Sequence, residues 1–530
     1  MGEKIYNNIE LPDVWPPRTV DLECSEPQRI PYLEKRPDVV DIDIGRQLFV
    51  DDFLIQKYGT EMTRKYHHPD KYTGNPIFFP QSPEELNDDL PPCTIPKSGG
   101  VWFDTADQTF KMWYMASYLG NVAYATSRDG INWERPSLDI VPGTNLCMRK
   151  ELHPDSGSVV IDYETTNPDE RFKYLLREPN PLGGGGNIPA HMLTSPDGIH
   201  WTEKGMTGII GDRSTMHYNP FRKKWVQSIR WCEFDGRDRH YQESDDFVLS
   251  GKWDDMKNVT PWMRADSLDH GDGNYPQLYN HDAIAYESLM LNFHEVHKGP
   301  PNHVGEGLGL PKLTEITLGT SRDGFHIHRP DRTPFIGARR EPGSWEYGYV
   351  ESSAGMCLVV GDELWFYYTA YAGDPNRANT DSWYVNGTYA NGAMGLAKLR
   401  RDGFASMQAR YPGATLRTRP VRFSGSHFFV NVQTASSNLR VEVQDQEYTT
   451  IEGFSYDDCL PFNGNSTSTE IRWKHANLSQ LAGKPVRFVF KMDRGEIYSF
   501  WVSKSEKGES NGYIGAGGPG FTGPIDTIGK

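Results

Sequence analysis

Thr126-Ser127-Arg128-Asp129-Gly130-Ile131-Asn132-Trp133 returns twice, as Thr194-Ser195-Pro196-Asp197-Gly198-Ile199-His200-Trp201 and as Thr320-Ser321-Arg322-Asp323-Gly324-Phe325-His326-Ile327. Looser echoes stand at Glu243-Ser244-Asp245-Asp246-Phe247 and Leu399-Arg400-Arg401-Asp402-Gly403-Phe404. Copies spaced by roughly 50 to 80 residues indicate one supersecondary unit used five times. Each clear copy places Asp-Gly where a tight hairpin needs it, because Gly accepts φ > 0 and Asp bonds its own backbone.

The residues around each copy share a grammar: strand, polar turn, aromatic strand, third strand, hairpin. The first unit spans about 75–136, with Ser98–Asp104, Phe110–Met115 and Asn121–Thr126 before its hairpin. The others span about 150–205, 211–265, 277–336 and 345–408. Short aromatic and β-branched runs between turn signals predict an all-β fold, and radial repetition of four-stranded sheets predicts a five-bladed β-propeller over 45–410. The hairpin then belongs at the outer rim of each blade. Residues 1–44, rich in Pro and charge, read as an extended arm. After 410 the repeat gives way to alternating strands such as Leu439–Val443 and Val486–Lys491, which predict a β-sandwich accessory domain over 411–507. The Gly-rich tail, 508–530, is expected to be poorly ordered.

Acidic residues outnumber basic ones 71 to 55, and the net charge of −16 argues against nucleic acid as a partner while leaving room for a local basic pocket. No apolar run is long enough to span a membrane. The six Cys (24, 93, 147, 232, 357 and 459) have neither zinc-site nor disulfide-framework spacing. No apolar leader opens the chain, which fits a cytoplasmic protein or a periplasmic or secreted one whose leader has been removed; the sugar-directed reading below favours the second.

Gln47-Leu48-Phe49-Val50-Asp51-Asp52-Phe53-Leu54-Ile55, the Ser-Arg-Asp-Gly hairpins, Gly361-Asp362-Glu363-Leu364-Trp365-Phe366-Tyr367-Tyr368 and Gly453-Phe454-Ser455-Tyr456-Asp457-Asp458-Cys459 resemble bacterial glycosyl hydrolase-like proteins. These are distantly similar to the five-bladed propeller glycosidases of families 32, 43 and 68. The resemblance covers about 45–505 and implies a carbohydrate-active propeller. The invertase-type W-M-N-D-P-N-G, R-D-P and E-C motifs are missing, so the sugar stays open. The hairpin string also resembles the Asp-box turn of sialidases, which commonly have six blades; five repeats count against that reading.

A glycosidase needs one carboxyl group kept protonated and one ionised, on either side of the scissile bond. In a propeller such groups stand at or just before the first strand of a blade. The candidates, in order, are Asp212, Glu346, Asp282 and Asp155, with Asp88, Asp89 and Glu351 behind them. Asp51 and Asp52 read as structural. For substrate contacts the candidates are Arg230, His217, His281, Glu287, Trp345 and Tyr349; Arg177 and Arg239 have the same potential to clamp an acidic sugar. Single acids are more often turn caps, and arginines more often ion-pair between blades. No motif demands a cofactor or a metal; a structural Ca²⁺ in the channel is compatible with the sequence. Gly183-Gly184-Gly185-Gly186 lacks the Lys-Ser/Thr of a phosphate loop and reads as a plain loop. The leading expectation is an exo-acting glycoside hydrolase on a plant or algal poly- or oligosaccharide. The alternative is a non-catalytic carbohydrate-binding propeller.

Overall fold

The computed structural model describes residues 2–529 except 88, 181–185, 233–235, 381–384 and 436. Asp88 and most of the Gly183–Gly186 run therefore lie outside the described residues. Five antiparallel sheets follow one another in chain order. Sheet 1 is Thr94–Asp104, Thr109–Ala116, Asn121–Ser127 and Trp133–Glu134. Sheet 2 is Ser156–Ile161, Phe172–Arg177, His191–Ser195 and Thr202–Met206, and sheet 3 is Thr215–Asn219, Lys224–Trp231, Asp238–Ser244 and Thr260–Arg264. Sheet 4 runs Gln277–Glu287, Leu289–Gly299 and Leu313–Ser321. Sheet 5 joins Gly348–Glu351 and Leu358–Val360 to Glu363–Tyr371 and Gly392–Arg400, and takes its last strand, Asp70–Lys71, from the N-terminal side of the chain. The first strands of sheets 1 to 4 touch in succession, sheet 4 touches sheet 5, and sheet 5 touches sheet 1.

The repeated hairpins share one hydrogen-bond pattern. Ser127, Ser195 and Ser321 Oγ accept the N–H of the following Gly at 2.8, 2.9 and 2.9 Å. Asp129, Asp197 and Asp323 Oδ1 accept two backbone N–H groups each, from the residues two and three further on. The glycines sit at φ 74°, 82° and 83°, in the left-handed region that favours glycine. Their surroundings add a second constraint, because each turn is latched to a neighbouring sheet. Tyr367 Oη of sheet 5 donates to Gly130 O at 2.7 Å, and Trp113 Nε1 of sheet 1 donates to Gly198 O at 2.6 Å. Trp262 Nε1 of sheet 3 donates to Phe325 O beside Gly324 at 2.7 Å. The turn that counts the repeats is thus also a fastener between them.

The two echoes depart from this pattern. Asp246 caps the short helix Phe247–Ser250 through Leu249 N–H. Asp402, at φ 59°, leads out of sheet 5 into Ala405–Ala409, which belongs to another sheet. That sheet runs Asn465–Ile471, His427–Thr434, Gly495–Ser503, Ala405–Ala409 and Thr63–Tyr66, with Gln47–Leu48 on Gly495–Ser503. It shares a core with the three-stranded sheet Ala414–Arg417, Arg487–Met492 and Arg440–Gln444, through Phe428, Phe488, Phe490 and Phe500. Ile5, Ile9, Leu11, Ile30 and Tyr32 bury themselves in the same core, so the arm packs there as well. The change expected at 410 falls earlier in space, since Ala405–Ala409 already lies in this second body.

The expectation of a poorly ordered tail is corrected. Tyr513–Ile514 pairs with Tyr286–Glu287 of sheet 4. Ala516 then bonds Cys357 O and Phe103 N, and Gly517 O accepts Val359 N–H. Glycine serves close backbone approach here: a Cβ on Gly518 would stand 1.8 Å from Val359 O. The tail so joins sheets 4, 5 and 1 beneath their first strands.

Candidate active site

Arg213 marks the place where the sheets converge. It precedes the first strand of sheet 3 at φ 59°, a left-handed turn that sends its side chain inward. Its guanidinium donates to Lys97 O of sheet 1 at 3.2 Å, to Glu295 Oε2 of sheet 4 at 3.2 Å and to Ser352 O, just beyond sheet 5, at 3.5 Å. Glu351 lies 3.9 Å from its Nε. Above this cluster opens a polar cavity of about 390 Å³. Asp155, Asp212, Arg230, Arg237, Tyr279 and Tyr349 are among the residues lining it.

Two acids from adjacent sheets face this cavity in different electrostatic settings. Asp155 pairs with Arg177, the last residue of the neighbouring strand in sheet 2. Burial is the largest effect on its carboxyl; together with the charge of Asp212 it overcomes Arg177 and raises the pKa above the ordinary value. Asp212 stands 3.1 Å from Arg230 Nε. Burial pulls its pKa upward too, but Arg230, Arg237, Arg177 and Lys312 prevail and hold it at about 2. One carboxyl is pushed toward its neutral form while the other stays ionised.

Beneath them lie Lys97, Glu351 and Glu295, all buried. Lys97 Nζ is 3.5 Å from Glu351 Oε1, and Glu351 Oε2 accepts Tyr371 Oη–H at 3.2 Å. Burial drives the Glu295 carboxyl to about 8, against the pull of Arg213 and with the help of Glu351. A carboxyl raised by folding contributes stability that is full below its unfolded value near 4.5 and is lost as pH climbs through 8. Glu295→Gln, which imitates the neutral acid, is therefore expected to gain on the wild type by about 2–4 kcal/mol between pH 5 and pH 8.5. Melting temperatures across that range measure it. A deficit that deepens with pH would mean that Glu295 is ionised in the fold.

Of the residues singled out from sequence, Asp155, Asp212, Arg230 and Tyr349 come together on this cavity. The others go elsewhere. Glu346 accepts Tyr368 Oη–H at 2.8 Å and lies 2.8 Å from Lys71 Nζ, so it ties the outer strands of sheet 5 together. Trp345 packs on Tyr368 beside it. Asp282 is buried and accepts Ser352 Oγ and Asn280 Nδ2 at 2.6 and 2.8 Å; it lines a smaller, largely apolar cavity with His217, Trp102 and Tyr513. His281 uses both ring nitrogens on Ser228 and Asn292, and burial holds both it and His217 well below the ordinary histidine value. Glu287 accepts Arg46 N–H, Ser510 Oγ and Arg401 Nη2 in a buried network where sheet 4 meets the tail and the second body. Asp51 binds Arg322 through both oxygens at 2.8 and 3.0 Å. Arg239 donates to the carbonyls of Arg213, Ser228 and Tyr279.

Sequence reasoning missed Lys97, Tyr279, Glu295, Lys312 and Arg237. Glu295 carried a readable signal, since it is a carboxylate close to Leu291, Phe293 and Val296 in a strand buried on both faces. Among the described residues no group of three or more His, Cys, Asp or Glu is arranged to hold a metal ion. Among the same residues no helix is long and apolar enough to cross a membrane.

No protein-family model and no curated protein matches the chain. Solved structures that it resembles include an N-acetylgalactosamine deacetylase from F. plautii, at 14% identity over 65% of this chain and 97% of that one, with a TM-score of 0.40. Others are a glycosyl hydrolase from Bacteroides ovatus (12%, 66% and 96%, TM-score 0.40) and a family 32 β-fructofuranosidase from Bombyx mori (11%, 81% and 94%, TM-score 0.39).

Proposed function

We propose that the five sheets are the blades of a β-propeller backed by a β-sandwich, and that the protein is a glycoside hydrolase working in the cavity above Arg213. The observation that carries this reading is the pair Asp155 and Asp212, from consecutive sheets, with carboxyls shifted in opposite directions on one cavity. Asp155 is the proton donor: its proton passes to the glycosidic oxygen as the bond from that oxygen to the anomeric carbon breaks. Asp212, ionised, either bonds to the anomeric carbon or takes a proton from the water that does. Arg230 positions Asp212, and Tyr349 supplies a ring face for the sugar. The cavity volume lies within the range of about 300–1,000 Å³ of small-molecule sites. A pocket floored by Arg213, Glu295 and Glu351 suits a chain end better than a through-running polymer, hence exo action.

Incubation with a panel of plant and algal oligosaccharides, read by mass spectrometry, tests this. Release of one sugar at a time from one end is the expected product pattern. Saturable binding with no product across the panel would favour the non-catalytic alternative.

A further inference from the structure

We propose that the sugar taken by this cavity carries a negative charge, as a carboxylate or sulfate, received by Arg237 and Lys312. The inference rests on the reading of the cavity as the sugar site and deepens it. Although the chain has a net charge of −16, six cations gather here: Lys97, Arg213, Arg230 and Arg237 line the cavity together with Glu306, and Arg177 and Lys312 stand behind, close enough for their charges to act on Asp212. Four of them have an acidic side chain within ion-pair distance. Arg213 lies between Glu295 and Glu351, Lys97 beside Glu351, Arg177 on Asp155 and Arg230 on Asp212.

Arg237 and Lys312 differ. Among the described residues, neither comes within ion-pair distance of a carboxylate. Arg237 donates from Nη1 to the Gln277 amide oxygen at 2.5 Å, while its buried Nε has no hydrogen-bond partner. Lys312 Nζ donates to Tyr279 Oη at 2.7 Å and is 1% exposed. Both cations lie on the Tyr279 ring, at 4.8 and 4.2 Å from its centroid, and Lys312 also lies 4.3 Å from that of Tyr349. Ring faces offset part of the cost of desolvating a cation, but not the absence of a counter-charge. Burial, with Arg237 and Lys97 nearby, pushes the Lys312 ammonium down to about 7. An anion beside Arg237 and Lys312 would supply the counter-charge that neither has at ion-pair distance, and a guanidinium fork is suited to the paired oxygens of a carboxylate or sulfate.

Titration calorimetry of the full chain with glucuronate, glucose 6-sulfate, inorganic phosphate and glucose tests the proposal. Glucuronate or the sulfate is expected to bind at least tenfold more tightly than glucose, and Arg237→Met to remove that advantage. Lys312→Gln serves as a second variant should the first not fold. Anionic sugars that bind no better than glucose, or an advantage kept in the folded variants, would overturn the proposal. So would tight binding of phosphate alone, which would place the charge on a free anion and not on the sugar. The two readings fail separately: turnover confined to neutral glycans removes only this one, while anion binding without any product removes only the hydrolase.

Discussion

Asp212→Asn is expected to lower kcat by on the order of 10³ or more on the glycan that the wild type cleaves. The amide keeps the shape of the side chain and loses the negative charge that Arg230, Arg237, Arg177 and Lys312 together stabilise. It can neither bond to an anomeric carbon nor accept a proton from water at neutral pH. Asp155→Asn should behave differently, because an acid matters only when the leaving group needs a proton. On the natural linkage its loss should approach that of Asp212→Asn. On an aryl glycoside whose phenolate departs unaided, Asp155→Asn should recover most of its turnover and Asp212→Asn none. Steady-state rates for both variants on both substrates decide the matter; an Asp212→Asn enzyme with full activity ends the assignment.

The second large effect lies at a residue outside the cavity lining. Asp402 occupies in the fifth repeat the place that Asp129 holds in the first, with a different load. Its carboxylate accepts Tyr286 Oη–H at 2.5 Å, Ser499 Oγ at 2.6 Å, and Arg46 Nη1 and Asn431 Nδ2 at 3.1 Å each. These donors come from sheet 4, from the segment before the first sheet, and from two strands of the second body. Asp402→Ala strands them all, including a buried guanidinium, and forces alanine into a left-handed backbone. A loss of about 3–5 kcal/mol and a melting temperature lower by roughly 3–5 °C are expected. Asp129→Ala, at an exposed turn, should cost about 1–2 kcal/mol, as the loss of a helix cap does. Equal melting shifts for the two variants would refute the difference in role.

These two aspartates show how far the sequence could be read. The Ser-x-Asp-Gly string determines its own turn through bonds to residues two and three positions away, so the three clear hairpins were legible, while the two echoes, at Asp246 and Asp402, turned out to form other structures. Local chemistry of this kind needs no tertiary knowledge. What the turn touches is another matter: the latches from Tyr367, Trp113 and Trp262, and the node at Asp402, join residues far apart in sequence. The candidate site divides along the same line. Asp155, Asp212 and Arg230 stand at or beside the ends of strands, where a repeat grammar points. Glu346 met the same rule and failed, because Glu351, five residues further on, is the residue that reaches Arg213. Lys312 and Arg237 lie in connections between strands, and periodicity says nothing about which way those turn.

Two of the five sheets draw a strand from outside their own stretch of chain. Asp70–Lys71 finishes the sheet formed by residues 348–400, and Tyr513–Ile514 flanks the one begun at Gln277. A ribosome making this protein from its N-terminus therefore holds an early strand without a partner until some 300 residues later. The pairing of Tyr286–Glu287 likewise waits for residues 513 and 514, more than 200 positions further on. Sheets 1 to 3 are complete within their own sequence and have no such wait. The architecture thus sets local pairing in sheets 1 to 3 against two long-range closures, and a nascent chain stalled before 513 is expected to present the edge of Gln277–Glu287 as an open pairing site to chaperones or to a second copy of itself.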